Sequence, residues 1–422
     1  MLDTTSLINN LWVLIAALLV FTMTVAVGFL EVGELGESFS RSFTKTLLIT
    51  GAALFVMALV GFNIAFAPTI DGVIGNPLYA GGLLLGSFSS NIMNVWWSMA
   101  AGYFNTGLTT ATYFLFETAF ASVTLALVSV IVLKKMKLSA FVIFSVVYFL
   151  VIWTIPAAWI WNPTGWLYQM GMRDFAGGLV VHAAAGAAGL GILYQIWQEE
   201  KKKGYKKSPQ VAMKLNRGWI TLAILLLWMG WFGFNPGSVL AFNASAMTVV
   251  ITTFLAAASA MLSTLLFRYV DTRRAPDLSY DVNGIIMGLI IITPLAGFVS
   301  PLSAIILGLL GGSLFVYGSK IISKSRWFTD PVGLLPGHML GGIFGVLMIA
   351  VFTQSSFAAA SGNANLPNGL LFGGGAAAIS QLGIEAFGIV VVILFVFIVS
   401  YVTCAAIARM LDGITTDYKK IS

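Results

Sequence analysis

Charge is scarce in this chain of 422 residues: Asp, Glu, Lys and Arg make up 9% of it, against about 25% in a soluble globular protein. A water-soluble surface cannot be built from so little, which sets aside soluble enzymes, nucleic-acid binders and secreted disulfide scaffolds. Cysteine occurs once, at Cys404, so no internal disulfide is possible and the residue reads as packing. What is abundant is apolar surface, 59% of all residues. Gly218 to Phe267 and Pro331 to Ile384 run for 50 and 54 residues without an Asp, Glu, Lys or Arg. Each run exceeds the roughly 20 residues of one membrane-crossing helix. The sequence therefore predicts an all-α polytopic membrane protein.

Eleven apolar stretches have spanning length: 11–32, 44–66, 107–133, 139–158, 175–198, 218–240, 245–267, 282–299, 301–319, 331–352 and 385–409. An odd number places the termini on opposite faces. With the N-terminus outside, 21 of the 22 Lys and Arg residues fall in cytoplasmic segments and only Arg173 lies outside. The positive-inside rule then gives an N-out, C-in orientation. The net charge of +6 is thus a topology signal rather than a partner-binding surface. Met1 to Asn10 lacks the pattern of a cleaved leader, so the first span is retained. One membrane domain is expected over 1–411, followed by a short cytoplasmic tail, 412–422.

The chain's two histidines, His182 and His338, fall in the fifth and tenth stretches, and their surroundings match. Asp174-Phe-Ala-Gly-Gly-Leu-Val-Val-His182 and Asp330-Pro-Val-Gly-Leu-Leu-Pro-Gly-His338 each place an Asp eight residues before the His, about 12 Å along a helix. Because each half contributes five spans, the second half enters the membrane in the opposite sense, the pattern of an inverted 5+5 repeat followed by a final helix. A pseudo-two-fold axis then brings both histidines together at mid-depth. A single His in an apolar helix is ordinarily a packing residue, but an equivalent intramembrane pair points to a pathway. A metal site is not expected, with no third His and no nearby Cys. Asp330, followed by Pro331, reads as a helix cap. For Asp174, capping and the shaping of a cation vestibule both remain open.

Four segments now resemble the ammonium transporter family, in its Amt branch: Asp174 to His182; Gly230-Trp-Phe-Gly-Phe-Asn-Pro-Gly-Ser238; Asn283 to Gly297; and Asp330 to Gly345. They occur in family order, and the likeness spans nearly the whole chain. The resemblance implies a homotrimer in the plasma membrane, one pore per subunit, no cofactor, no enzymatic activity, and ammonium uptake. Residue by residue, it implies that His182 and His338 line the pore and that Asp174 is a structural vestibule aspartate. It makes Phe120 and Phe234 the stacked rings closing the outer entrance. Ser238, Phe120 and, after a one-residue gap, Trp161 would form the ammonium recruitment site. Without the resemblance, these aromatic residues would read as packing.

The chemistry agrees with that implication. Ammonium and potassium have similar size and charge, so a discriminating site uses its N–H donors and aromatic faces: a Ser hydroxyl accepts a bond, and Trp and Phe rings attract the cation. Beyond an aromatic gate, an intact cation is costly in an apolar pore, whereas ammonia is neutral. Two neutral imidazoles can then contact small molecules in file and relay a proton.

Several positions depart from the family pattern. Glu117 stands where Gln is more usual; it either strengthens cation attraction or sits protonated in a helix interface. Met339 follows His338 where Gly is usual and would narrow the pore. Gly333 replaces a common Asp, and Pro236 a small residue. Thr293, within the Asn283 to Gly297 segment, has no assigned role. The tail lacks the longer acidic extension used for docking a PII-type regulator, so that regulation is not expected. These departures keep a second reading open: an Amt-like ammonium sensor with little transport, signalling through a cytoplasmic module beyond Ser422. A Rh-like gas channel is a third, against which the Asp-Phe-Ala-Gly-Gly and Gly-Phe-Asn motifs argue.

Overall fold

The computed structural model describes residues 3–79, 107–132, 134–211, 213–273 and 278–416. Arg274, Lys419, Lys420 and tail residues 417–422, which entered the charge and tail arguments, lie outside them. The described chain is mostly helical. In order, it forms α1 (Thr4–Leu35), α2 (Phe39–Phe66), α3 (Thr110–Val132), α4 (Leu138–Ile160), the short α5 (Trp166–Met170), α6 (Gly178–Lys202) and α7 (Arg217–Gly237). There follow α8 (Ala244–Thr272), α9 (Leu278–Ile292), α10 (Pro301–Ile322), α11 (Leu335–Phe352), the short α12 (Ser355–Ala360) and α13 (Gly375–Met410). A two-strand hairpin, β1 (Thr69–Ile70) with β2 (Ile74–Gly75), is the one sheet among the described residues.

Ten of these helices are long and apolar enough to cross a membrane, and Val282–Ile292 within α9 is a shorter apolar helix. The ten overlap ten of the expected stretches and the shorter helix overlaps part of another, with two informative differences at their ends. Helix α9, on the eighth expected stretch, stops at Ile292 because Pro294 follows, which has no N–H to donate and enters a turn. The last helix starts at Gly375, ten residues before the expected edge at Glu385. Glu385 is fully buried inside it, accepting from Gln381 Nε2 at 2.6 Å and from the Arg173 backbone N–H at 3.1 Å. Both bonds go to Oε1, and they hold this carboxyl inside the span.

Local chemistry sets the helix ends. Asp3 accepts from Ser6 N at 2.7 Å to start α1, Asn243 accepts from Ala246 N at 3.0 Å to start α8, and Ser300 precedes Pro301 at the first position of α10. Within the bundle, α3 and α6 are enclosed, with 94% and 89% of their apolar windows buried, whereas α13, at 28%, turns most of its surface outward. Phe120 sits on α3 and His182 on α6, whereas Phe234 sits on α7 and His338 on α11.

The two faces of the bundle differ. At one, Asn9 Oδ1 accepts from Phe242 N and Asn10 Oδ1 from Thr109 N, so the start of α1 lies beside the start of α3 and the end of α7. At the other, basic residues gather in a bonded network. Lys135 reaches Glu200 and Ser208, Lys134 pairs with Glu37, and Ser208 N bonds the Arg326 carbonyl. The tail returns to this face: Ile414 and Thr415 N–H groups bond Glu199, and Thr416 N bonds the Lys135 carbonyl.

Near that face an ion pair is sealed inside the bundle. Lys45 of α2 contacts Glu31 of α1, both wholly buried, and Ser42 Oγ and Ser129 Oγ complete the set at 2.7 and 3.0 Å from the Glu31 oxygens. Removing one partner strands the other charge. We expect Lys45→Met to lower stability by about 3–5 kcal/mol and Lys45→Met with Glu31→Leu to recover much of it. Thermal unfolding in detergent checks this, and a single variant as stable as the parent would contradict it.

Candidate functional site

Both histidine segments are built by the same local device. Asp174 Oδ1 accepts from Gly177 N and Gly178 N at 3.1 and 2.7 Å, and Oδ2 from Leu179 N and Val180 N at 2.8 and 2.9 Å. The turn that presents four N–H groups to one carboxylate requires Gly177 at φ +109°. In the second half, Asp330 accepts from Leu334 N at 3.0 Å and Leu335 N at 2.7 Å. Burial pushes the Asp174 carboxyl up from the ordinary aspartate range against the pull of its four N–H bonds, and pushes Asp330 up to about 6. After each cap the chain winds as a π-helix, over Gly178–Ala183 and Leu335–Met339, and His182 and His338 are each the next-to-last residue. Wide π turns recur at functional sites in helices.

The two segments cross in contact. A Cβ on Gly342 of α11 would fall 2.2 Å from the Gly178 carbonyl oxygen, so only glycine permits this approach. The crossing sets His182 Nδ1 at 3.2 Å from His338 Nδ1, with ring centroids 5.2 Å apart and planes at 56°. The histidines are 1% and 7% exposed. One Nδ1 must donate and the other accept, so a neutral accepting ring carries its proton on Nε2. His182 Nε2 has no hydrogen-bond partner in the protein. With their Nδ1 atoms engaged with each other, the rings do not form a chelating pair through those atoms.

Aromatic rings hold the pair from the α3 and α7 side. Phe234 stacks on His182 at 5.6 Å and 15°, and Trp231 at 5.8 Å and 24°. Phe120 lies 4.3 Å from Phe234, centroid to centroid, and both are nearly fully buried. Beyond Phe120 opens a cavity of about 350 Å³ whose lining includes Glu117, Phe120, Trp161, Asp174 and Ser238. Trp161 Nε1 donates to the Asp174 carbonyl at 2.7 Å, and Ser238 Oγ donates to the Phe234 carbonyl at 2.8 Å, leaving the hydroxyl oxygen free to accept. On the opposite side of the histidines, Asp330, Gly333, Pro336 and Asn283 line a second cavity of about 290 Å³. The structure thus brings Phe120, Trp161, Asp174 and Ser238 to one cavity, and Phe234 between Phe120 and His182.

Comparison with known proteins follows the same line. The family model described as Ammonium Transporter Family matches residues 11–418. The chain belongs to this family. It is 30% identical to an ammonium transporter of Bacillus subtilis, over 97% of this chain and 94% of the relative, and 31% identical to one of Aquifex aeolicus, over 92% and 84%. Among solved structures, one named Sensor Amt Protein superposes with a TM-score of 0.82 at 26% identity, covering 100% of this chain and 97% of that one. Saccharomyces cerevisiae Mep2 shares the fold at a TM-score of 0.77 and 24% identity, covering 96% and 87%.

Within this ammonium transporter family chain, the positions left open now have places. Thr293 receives the Trp231 indole N–H at 3.3 Å and sits 3.2 Å from Asn235 Oδ1, which orients Trp231. Met339 packs on α6 where Gly186 makes room: a Cβ there would fall 2.5 Å from Met339 Cβ. Pro236 sits at the end of α7, next to its last residue Gly237. Trp231, not singled out from the sequence, was signalled by its i, i+3 spacing from Phe234, which puts both rings on one helix face. Arg173 and Tyr113 also line the outer cavity, and no motif announced them.

The Asp174 cap can be tested directly. Asp174→Ala orphans four buried N–H groups, each costing about 1–3 kcal/mol, while Asp174→Asn keeps one accepting oxygen. Thermal midpoints in detergent should fall in the order parent, Asn, Ala. An Ala variant matching the parent would contradict the cap.

Proposed function

We propose that this chain is a plasma-membrane ammonium transporter that recruits the cation in the outer cavity, releases ammonia past the Phe120–Phe234 pair and passes it along His182 and His338. The observation that carries this reading is the alignment of two cavities on either side of a buried histidine pair, with a stacked aromatic pair between the outer cavity and the rings.

The steps follow from the residues. Ser238 Oγ, its proton engaged by Phe234 O, accepts an N–H from ammonium. Trp161 and Phe120 offer ring faces to the cation. An intact cation moving on would exchange water for phenyl rings at high cost, so the neutral molecule is the species that continues. His182 Nε2, without a protein partner, offers it a polar contact, and the Nδ1 to Nδ1 bond gives the separated proton a path between the rings. The outer cavity lies on the face that holds the start of α1, and the basic network on the other, which supports an N-out, C-in orientation. The matched caps, π turns and histidines of α6 and α11 support the inverted repeat. A homotrimer with one pore per subunit belongs to this reading, and a PII-type regulator does not.

The test is uptake of 15N-ammonium by proteoliposomes holding the parent, His182→Ala or His338→Ala, against empty liposomes. The parent should fill the vesicles with saturable kinetics, and each variant should lose at least about tenfold in rate, the equivalent of one hydrogen bond to the passing molecule. Parent protein that binds ammonium yet gives no uptake above empty liposomes would instead favour the sensing role.

A further inference from the structure

One carboxyl oxygen in the outer cavity is left unsatisfied by the fold. Glu117 lies on α3, three residues before Phe120, and is 5% exposed. It lines the cavity with Trp161 and Ser238. Tyr113 hydrogen-bonds its carboxyl, yet Oε2 has no partner and is sealed from bulk water. The polar neighbours that line the same cavity do not meet this oxygen. Asp174 is the other carboxyl there, and each of its oxygens already accepts two backbone N–H groups. Arg173 is turned to the Tyr168 and Met172 carbonyls at 3.0 and 2.7 Å and lies over the Tyr168 ring, 4.1 Å from its centroid.

An unpartnered carboxyl oxygen in a membrane span is costly and is retained where a pathway uses it. Burial as an inert protonated group in a helix interface would place Glu117 away from open space, but it is one of the residues that line the cavity. The Ser238 oxygen can take one N–H of a tetrahedral cation and the aromatic faces others, which leaves a direction that only an acceptor of negative charge can complete well. We propose that Glu117 is a direct ligand of the transported cation, its Oε2 accepting an N–H of ammonium alongside Ser238, so that the outer site is a carboxylate site. This inference rests on the ammonium reading above and adds a residue that sets affinity.

The test measures the ammonium half-saturation of uptake in proteoliposomes, and of Trp fluorescence in detergent, for the parent, Glu117→Gln and Glu117→Asp. Glu117→Gln keeps the shape and one accepting oxygen but removes the charge, and should raise the half-saturation by about tenfold or more with the maximal rate within about twofold, since a charge-assisted bond is roughly twice as strong as a neutral one. Glu117→Asp retains the carboxylate and should lie nearer the parent; it serves the same test if the Gln variant does not give a monodisperse preparation. Half-saturation unchanged in Glu117→Gln, or an Asp variant affected as much as Gln, overturns the inference while leaving ammonium transport intact. A parent that neither binds nor moves ammonium overturns both readings.

Discussion

The arrangement depends on one close crossing, where α6 and α11 meet at Gly178 and Gly342 with no room for a side chain. The crossing is a three-body contact. α9 ends at Ile292, and Pro294 then lies against Gly178, where a Cβ would fall 2.6 Å from the proline ring, while the Pro294 carbonyl accepts from Phe175 N at 3.0 Å. Ending α9 early is therefore part of how the histidines are brought to 3.2 Å. The aspartate caps fix where each π turn begins, and the π turns fix which way each imidazole points.

Around this crossing the chain separates polar and apolar work by depth. Buried near the basic face are the ion pairs of Lys45 with Glu31 and of Lys135 with Glu200. The level of the histidines holds aromatic rings, small residues and the Thr293–Asn235–Trp231 chain of hydrogen bonds. That chain satisfies every polar group it buries near the pore wall, and so preserves the stacking of Trp231 on His182. Two polar atoms along this line keep no partner, Glu117 Oε2 and His182 Nε2, and Glu117 is among the residues lining the outer cavity.

Much of this was legible in the sequence because membranes restrict what a chain can do. Charge segregation and uninterrupted apolar runs located the spans, and two matched Asp–x7–His segments pointed to a repeat with its histidines at mid-depth. Family resemblance, rather than periodicity, picked out Phe120, Phe234, Ser238 and Trp161 among many aromatic and small residues. Other features were hidden for physical reasons. Glu385 looked like a span boundary because a one-dimensional charge pattern does not show that Gln381 and the Arg173 backbone would bond its Oε1. The π turns leave no compositional mark, since they arise from tertiary contact at the crossing. Met339 looked like an obstruction until Gly186, more than 150 positions away, proved to be its seat.

The central claim is that a cation is recruited but does not cross the histidine level intact. The most direct test is the current elicited by ammonium and by potassium, pulsed at equal concentration onto proteoliposomes on a solid support. The account predicts a saturable ammonium current, carried by the separated proton, and a potassium response no larger than that of empty liposomes. A potassium current comparable to the ammonium current would mean that the pore passes cations whole, and would contradict it.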